Sequence, residues 1–253
     1  MNIVIVGAGG IGTHVAINLA HLKRANEKVF YRYNIDSIIV VDADVVEMKN
    51  LNRLPYKKYV GMHKVEALQN YIKENIMDLE LLRYGNLWQE VENEIEELLD
   101  DANEVALVID CTDNSQAQTA IYNFCRVKHH FGYVHVGNQN ENITIEINRS
   151  MHVCDFGTAP EGYISTQTNA FYVARTMGVL FDLLCEYDPM QGVEVLFSMT
   201  QKGIWMTEDG KQIPMEKIQP WNNYKRREVS ELPNDISAER SSAEEESDSS
   251  DSN

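Results

Sequence analysis

The feature of this 253-residue chain that most restricts its fold is a cluster of glycines after its first apolar segment. The β-branched run Ile3–Val6 predicts a buried strand, and Ile11–Leu22 carries apolar residues at helical spacing. Between them lie Gly7, Gly9, Gly10 and Gly12. A strand, a glycine turn and a helix in this order let backbone N–H groups approach a phosphate closely. The sequence therefore predicts a nucleotide site, with close helix packing and no ligand as the alternative.

A second apolar run, Ser37–Val41, predicts the next strand, and Asp42 follows it directly. An acidic residue at this place can accept hydrogen bonds from both ribose hydroxyls. Asp42 lies 30 residues after Gly12 because the polar segment 23–34 lengthens the connection. The usual separation is roughly twenty residues. We predict that Asp42 binds a ribose, with a solvated strand end as the alternative.

Charged and polar side chains follow this second strand and occur again after the buried run Val105–Ile109. They are Asp44, Asn50, Arg53, Lys64 and Asp113. We expect them to converge above the strand ends, where nucleotides bind in open α/β sheets. Arg53 and Lys64 can neutralise the phosphates of a triphosphate, and Asp113 can hold Mg²⁺ through hard oxygen ligands. The pattern favours a magnesium–triphosphate site.

Four motifs together resemble those of the ThiF/MoeB family, whose adenylating core is shared with ubiquitin-activating enzymes. They are Gly-x-Gly-x-x-Gly from Gly7, Asp-x-Asp-x-Val-Glu-x-x-Asn-Leu-Asn-Arg from Asp42, Gly-x-x-Lys at Gly61–Lys64 and Cys-Thr-Asp-Asn at Cys111–Asn114. The match keeps its order and spacing over Ile3–Ile147. It implies a reaction in which the C-terminal carboxylate of a small ubiquitin-like or sulfur-carrier protein attacks the α-phosphate of ATP. Pyrophosphate leaves and an acyl adenylate forms.

The resemblance also implies roles for the matching residues. Asp42 would bind the ribose, and Lys64 the α-phosphate as charge shifts in the transition state. Asn50 and Arg53 would bind the phosphates, and Asp113 the magnesium ion. Positioning and charge stabilisation would supply most of the rate. The expected nucleotide-binding set is Gly7, Gly9, Gly10, Gly12, Asp42, Asp44, Asn50, Arg53, Lys64, Asp113 and Asn114, and the expected catalytic set is Arg53, Lys64, Asp113 and Cys154.

Cys154 enters that set because some members of the family transfer the activated carboxylate to a cysteine as a thioester or persulfide. It lies in a predicted loop beside His152. Thiolate chemistry requires exposure and a lowered pKa, so an incidental thiol is the alternative. The other three cysteines, Cys111, Cys125 and Cys185, are expected to pack in the interior. No Cys-x-x-Cys pair occurs, which favours reduced thiols in the cytoplasm over a zinc site or disulfides.

Several positions depart from the family pattern. Leu54 stands where a glutamine is usual, and Gln118 where an arginine often follows the Asp-Asn pair. The chain begins at the first strand, whereas relatives often carry a preceding helix that donates an arginine across a dimer. We therefore expect a homodimer, or a partner subunit that supplies an arginine, unless Arg24 or Arg32 substitutes. A catalytically incomplete subunit or scaffold is the second hypothesis, and an NAD-dependent oxidoreductase is the third.

Composition and patterning set the expected architecture and partners. The formal net charge of −17 and the lack of a basic, aromatic-interleaved stretch argue against a nucleic-acid partner, and no apolar run is long enough for a membrane span. We predict an α/β fold, a Rossmann-like, mostly parallel sheet flanked by helices, with an antiparallel extension. Residues 1–227 would form the adenylyltransferase domain. Residues 228–253 would form a disordered acidic tail, because Ser, Glu and Asp bury little apolar surface.

Overall fold

The computed structural model describes residues 1–29, 32–100, 105–128, 130–139, 142–148, 166–192, 194–200, 205–206 and 212–213. Within these ranges the chain forms nine strands and five α-helices. The strands are β1 (Asn2–Val6), β2 (Ile38–Val41), β3 (Leu82–Tyr84), β4 (Ala106–Asp110), β5 (Phe131–Gln139), β6 (Asn142–Ile147), β7 (Val195–Thr200), β8 (Trp205–Met206) and β9 (Gln212–Ile213). The helices are α1 (Gly10–Arg24), α2 (Lys64–Asn75), α3 (Trp88–Asp100), α4 (Ser115–Arg126) and α5 (Thr166–Glu186).

All nine strands belong to one sheet with the order β3-β2-β1-β4-β5-β6-β7-β8-β9. The first five pair in parallel, and the pairs from β5–β6 to β8–β9 are antiparallel. Every residue of the central strand β1 is buried, as expected for a parallel strand covered on both faces. The predicted fold class, a Rossmann-like and mostly parallel sheet with an antiparallel extension, is confirmed.

Two hydrophobic cores lie on opposite faces of this sheet. One contains the apolar sides of α1, α2 and α5, and the other those of α3 and α4. Alternate residues of each central strand contribute to alternate cores: Ile3 and Ile5 of β1 to the first, Val4 to the second. Helices on both faces therefore leave the carboxyl ends of the parallel strands as the exposed edge of the fold.

Some element boundaries differ from those that apolar patterning predicts. The pattern predicts a strand over Leu79–Tyr84 and a helix over Ser115–His130, whereas the strand begins only at Leu82 and the helix ends at Arg126. The segment 44–60 has little periodicity and is predicted to be a loop, but it contains two short 3-10 helices, Met48–Asn52 and Lys57–Tyr59. Cys154 and the proposed acidic tail lie outside the described residues.

The glycine turn brings β1 and α1 closer than side chains would permit. Gly7 has φ +91°, in the left-handed region that favours glycine. A Cβ at Gly12 would lie 1.9 Å from the carbonyl oxygen of Gly7. The start of α1 can therefore pack on the end of β1 only because Gly12 has no side chain.

Replacement of Gly12 by alanine is expected to unfold the protein or to destabilise it by about 3 kcal/mol or more, because the new methyl would overlap backbone. Gly178→Ala is the matched control. Nothing lies within 4 Å of its added Cβ, and alanine in a helix is favoured over glycine by up to about 1 kcal/mol. Guanidinium unfolding of both variants measures the difference. Equal stabilities would contradict the packing argument.

Candidate functional site

Three loops meet at the carboxyl edge of the sheet, where β1, β2 and β4 end. Backbone hydrogen bonds place them side by side: Gly7 N donates to Val41 O at 2.8 Å, and Cys111 N donates to Val6 O at 2.8 Å. The glycine turn therefore lies between Asp42, after β2, and the loop that carries Asp113, after β4. This is the convergence that the sequence predicted.

The glycine turn is held on both sides of Ala8. Ala8 N donates to Asp42 Oδ2 at 2.6 Å, and Ala8 O accepts from Thr13 Oγ1 at 3.0 Å. The buried Tyr56 hydroxyl in turn donates to Thr13 Oγ1 at 3.0 Å. Sequence reasoning missed Thr13 and Tyr56, because their roles depend on a contact between segments 43 residues apart. Both the N–H and the carbonyl of Ala8 are thus hydrogen-bonded within the protein.

Gly9 and Gly10 lie on one side of this turn, at the start of α1. Gly9 is the N-cap of α1, with no side-chain cap, and a Cβ there would meet nothing within 4 Å. The first turn of α1 contains no acidic residue. The positive end of the helix dipole therefore faces open space at Gly9, an arrangement suited to an anion.

Arg53 lies against the other glycine. A Cβ at Gly10 would be 2.7 Å from Arg53 Cδ, so the arginine stem occupies the space that Gly10 leaves. Arg53 Nη1 donates to Asn52 Oδ1 at 2.8 Å, and Arg53 O accepts from His14 Nε2 at 3.0 Å. Burial lowers the pKa of the Arg53 guanidinium, and the negative charge of Asp113 opposes that shift. The structure therefore brings Arg53 and Asp113 together, with Asn52 and His14 as neighbours that the sequence analysis missed.

Lys64 forms the second cationic group of the site. It begins α2 and is buried, and its Nζ lies 2.6 Å from Asp44 Oδ2 and 3.6 Å from Asp42 Oδ2. Asp44 is 72% exposed, whereas Asp42 is buried. Burial raises the pKa of Asp42, while Lys64 and the N–H groups of Asp44 and Ala8 lower it. A buried ammonium that lies between a buried and an exposed carboxylate can exchange the exposed one, Asp44, for another anion.

Asn50 and Asn114, both expected at the nucleotide, have hydrogen bonds within the protein. Asn50 is buried in the 3-10 helix before Arg53, and its Oδ1 accepts from Glu47 N at 2.9 Å. Asn114 Oδ1 accepts from Gln116 N and Ala117 N and so caps α4. These bonds show that both residues shape loops which carry other site residues.

Asp113 is the exposed carboxylate that remains beside Arg53. Its oxygens are hard donors, as Mg²⁺ requires. No group of three or more His, Cys, Asp or Glu side chains suited to a metal occurs among the described residues. A magnesium ion at Asp113 would therefore need further oxygens from a nucleotide and water, which is how Mg²⁺ binds in many phosphate sites. The residues present fit such an ion.

Neither expected substitute arginine reaches this site. Arg24 ends α1, about 21 Å along the helix axis from Gly10 at 1.5 Å per residue. Arg32 Nη1 pairs with the buried Asp188 carboxylate at 2.9 Å. Arg24 is thus too far along the helix, and Arg32 is engaged elsewhere. Of the sources of an arginine that the sequence left open, a second copy of the chain or a partner subunit stays a prediction.

The departures at Leu54 and the remaining cysteines have packing explanations. Leu54 is buried in the core shared with α1 and α2. Among the described residues the cysteines are all free thiols. Burial raises the pKa of Cys111, Cys125 and Cys185, so none has the lowered pKa of a nucleophilic thiol.

In the part of the chain that is described, no helix has the length and apolar character needed to cross a bilayer.

Comparison with known proteins gives a family. A model described as "ThiF family" matches residues 1–137, just over half of the chain. "Ubiquitin-like modifier-activating enzyme 5" of Rattus norvegicus is 30% identical over 131 residues, which are 49% of this chain and 30% of that protein. "Adenylyltransferase and sulfurtransferase MOCS3-1" of Zea mays is 28% identical over 126 residues, 49% of this chain and 24% of that protein. The chain thus spans less than a third of the length of these curated relatives.

Solved structures share the fold over a larger part of the chain. The PaaA crystal structure has a TM-score of 0.53 at 18% identity, and Escherichia coli MccB with ATP has 0.51 at 17% identity. Both alignments cover 84% of this chain and 62% of the other. At these identities the likeness is one of fold.

Removal of the Lys64 charge is expected to raise the pKa of Asp42 further above its usual value. In Lys64→Met the ionised Asp42 loses its stabilising cation, while its burial remains. Relative to wild type, the variant should lose little stability below about pH 4, where Asp42 is protonated in both states. The loss should grow as pH rises through the raised pKa.

Carboxyl carbon NMR titration measures that pKa, and urea unfolding at several pH values measures the stability. Lys57→Met is the control, since Lys57 is exposed. An Asp42 titration unchanged by Lys64→Met would show that the pair does not interact.

Proposed function

Because the chain belongs to the ThiF family, we propose that it is an ATP-dependent adenylyltransferase. It activates the C-terminal carboxylate of a small ubiquitin-like or sulfur-carrier protein. The observation that carries this proposal is the convergence of Arg53, Lys64 and Asp113 around the open glycine turn. Two cations and a carboxylate beside a helix N-terminus suit a magnesium-bound triphosphate.

The nucleotide is held by parts that are already in place. The phosphates lie over Gly9, where the backbone is open and the α1 dipole is positive. The ribose hydroxyls donate to Asp42, whose position is set by Ala8 N and Asp44 N. Little reorganisation is needed on binding, which favours catalysis by positioning.

The reacting groups follow from the charges. A carrier carboxylate oxygen bonds to the α-phosphorus, and the bond from that phosphorus to the bridging oxygen breaks, so that pyrophosphate takes the electron pair. Lys64 transfers its ion pair from the exposed Asp44 to the α-phosphate, where negative charge increases. Arg53 neutralises the outer phosphates. Mg²⁺, when bound at Asp113, supplies charge neutralisation of the leaving pyrophosphate.

The partners are proposed on the same basis. The relatives named as a ubiquitin-like modifier-activating enzyme and as an adenylyltransferase and sulfurtransferase support a carrier-protein substrate. Since Arg24 and Arg32 do not reach the site, a second copy of the chain in a homodimer, or a partner subunit, supplies a further arginine.

We also propose a cytoplasmic location, residues 1–227 as the catalytic unit, 228–253 as a solubilising tail and Cys154 as the thiol acceptor.

A second candidate function is an ATP-binding subunit without turnover. The observation that favours it is the saturation of Lys64 by two carboxylates. Carrier-dependent ATP–pyrophosphate exchange separates the two functions. Exchange with a candidate carrier ending in Gly-Gly supports the enzyme, whereas ATP binding with no exchange in the presence of every such carrier supports the subunit.

Asp113→Ala is expected to reduce magnesium-dependent exchange about 100-fold or more, because the ion that neutralises the pyrophosphate loses its protein ligand. Stability should change little, since Asp113 is exposed at the end of a loop. Asp78→Ala, which removes an exposed carboxylate paired with Lys73, is the control. Full exchange by the Asp113 variant would remove that residue from the mechanism.

Gly9→Ala should fold normally, since its Cβ meets no protein atom within 4 Å. The methyl would occupy the space where the phosphates lie, so we expect ATP affinity to fall roughly tenfold, about 1.4 kcal/mol. Titration calorimetry of wild type, Gly9→Ala and Gly178→Ala measures the effect. Unchanged affinity in Gly9→Ala would place the phosphates elsewhere.

A further inference from the structure

The loop between β4 and α4 is tied to both of these elements through Thr112. Thr112 N and Thr112 Oγ1 donate to Asp110 Oδ1, at 2.9 and 2.7 Å. Thr112 O accepts from Gln118 Nε2 at 2.7 Å. All three polar groups of Thr112 are thus bonded, to the strand on one side and to the helix on the other.

Both ends of this connection are anchored. Asp110 is fully buried, and its Oδ2 accepts from Tyr133 OH at 3.0 Å and lies 3.4 Å from His135 Nδ1. Gln118 is 6% exposed, and its backbone N donates to Asn114 O at 3.0 Å. Burial of an amide side chain costs free energy unless it is hydrogen-bonded. The bond to Thr112 therefore stabilises the buried position of Gln118 as well as the loop.

The bond from Gln118 determines the direction in which the chain enters Asp113. The Thr112 carbonyl and the Asp113 N–H belong to one planar peptide group. A hydrogen bond that fixes this carbonyl therefore fixes the plane from which the Asp113 Cα departs. Without it, rotation of the peptide plane would move the Asp113 carboxylate even though Asp110 still held the start of the loop.

We propose that Gln118 is a positioning residue that aims the Asp113 carboxylate at the metal–phosphate site by fixing the Thr112–Asp113 peptide. This inference rests on the proposed nucleotide function, in which Asp113 holds the magnesium ion. Gln118 itself touches neither nucleotide nor metal. It acts indirectly, through the Thr112–Asp113 peptide, as residues that orient a metal ligand commonly do.

The test compares Gln118→Met, which keeps the side-chain length and removes the N–H donors, with Gln116→Met at an exposed position of the same helix. Binding of a fluorescent ATP analogue is measured in EDTA and across a Mg²⁺ titration. Loss of a residue behind a metal ligand typically weakens metal binding about 10-fold to 100-fold. We expect the half-saturating Mg²⁺ concentration of Gln118→Met to rise about tenfold, with unchanged affinity in EDTA. Gln116→Met should match wild type.

An unchanged magnesium response, or an equal fall of affinity in EDTA and in Mg²⁺, would overturn the inference, because a purely structural role would give those results. If Gln118→Met does not fold, Gln118→Glu has the same shape and replaces only the amide nitrogen. Binding is measured without a carrier protein. If wild type binds MgATP but shows no exchange, the proposed function fails while the role of Gln118 is still decided.

Discussion

The contact between Gly12 and the carbonyl of Gly7 is the constraint on which the site depends. It sets where α1 begins relative to the end of β1, and only two hydrogen atoms on a Cα can be accommodated there. With α1 in that position, Gly9 faces open space and Gly10 accepts the stem of Arg53. A helix displaced by even a methyl group would change the open space at Gly9 and move the contact between Gly10 and Arg53. The close contact between Gly12 and the Gly7 carbonyl therefore determines both the backbone packing and the open space at Gly9.

Electrostatic pairing organises the rest of the site. The chain has a formal charge of −17, and the two cations at this edge, the buried Lys64 and the half-buried Arg53, lie near carboxylates of the same site. Lys64 lies between Asp42 and Asp44, and Arg53 lies near Asp113. Each pair limits the cost of burying a charge in the absence of ligand. In the proposed function, an arriving triphosphate would replace the exposed Asp44 carboxylate at Lys64 rather than meet an unpaired cation.

The departures from the family pattern have a different meaning in three dimensions. Leu54 is a core residue, and Gln118 is a buried donor to the loop that carries Asp113. In the sequence, these two departures from the family motif suggested a catalytically incomplete site. In the structure Leu54 fills part of the core, and Gln118 holds the Asp113 loop. The side-chain oxygens of Asn50 and Asn114 form local caps, so these residues shape the site loops, and their contact with a nucleotide stays a prediction.

The sequence alone determined the strand–turn–helix opening, a mostly parallel sheet with an antiparallel extension, and the convergence of Asp42, Arg53, Lys64 and Asp113. These features depend on local spacing, on apolar periodicity and on the rule that strand ends share an edge. Tertiary structure alone decided which partners each side chain has. Thr13–Tyr56, Arg53–His14 and Asp110–Tyr133 are separated by 43, 39 and 23 residues, and Arg24 is directed away from the site by the axis of its helix. Such contacts follow from how elements pack, which no local pattern specifies.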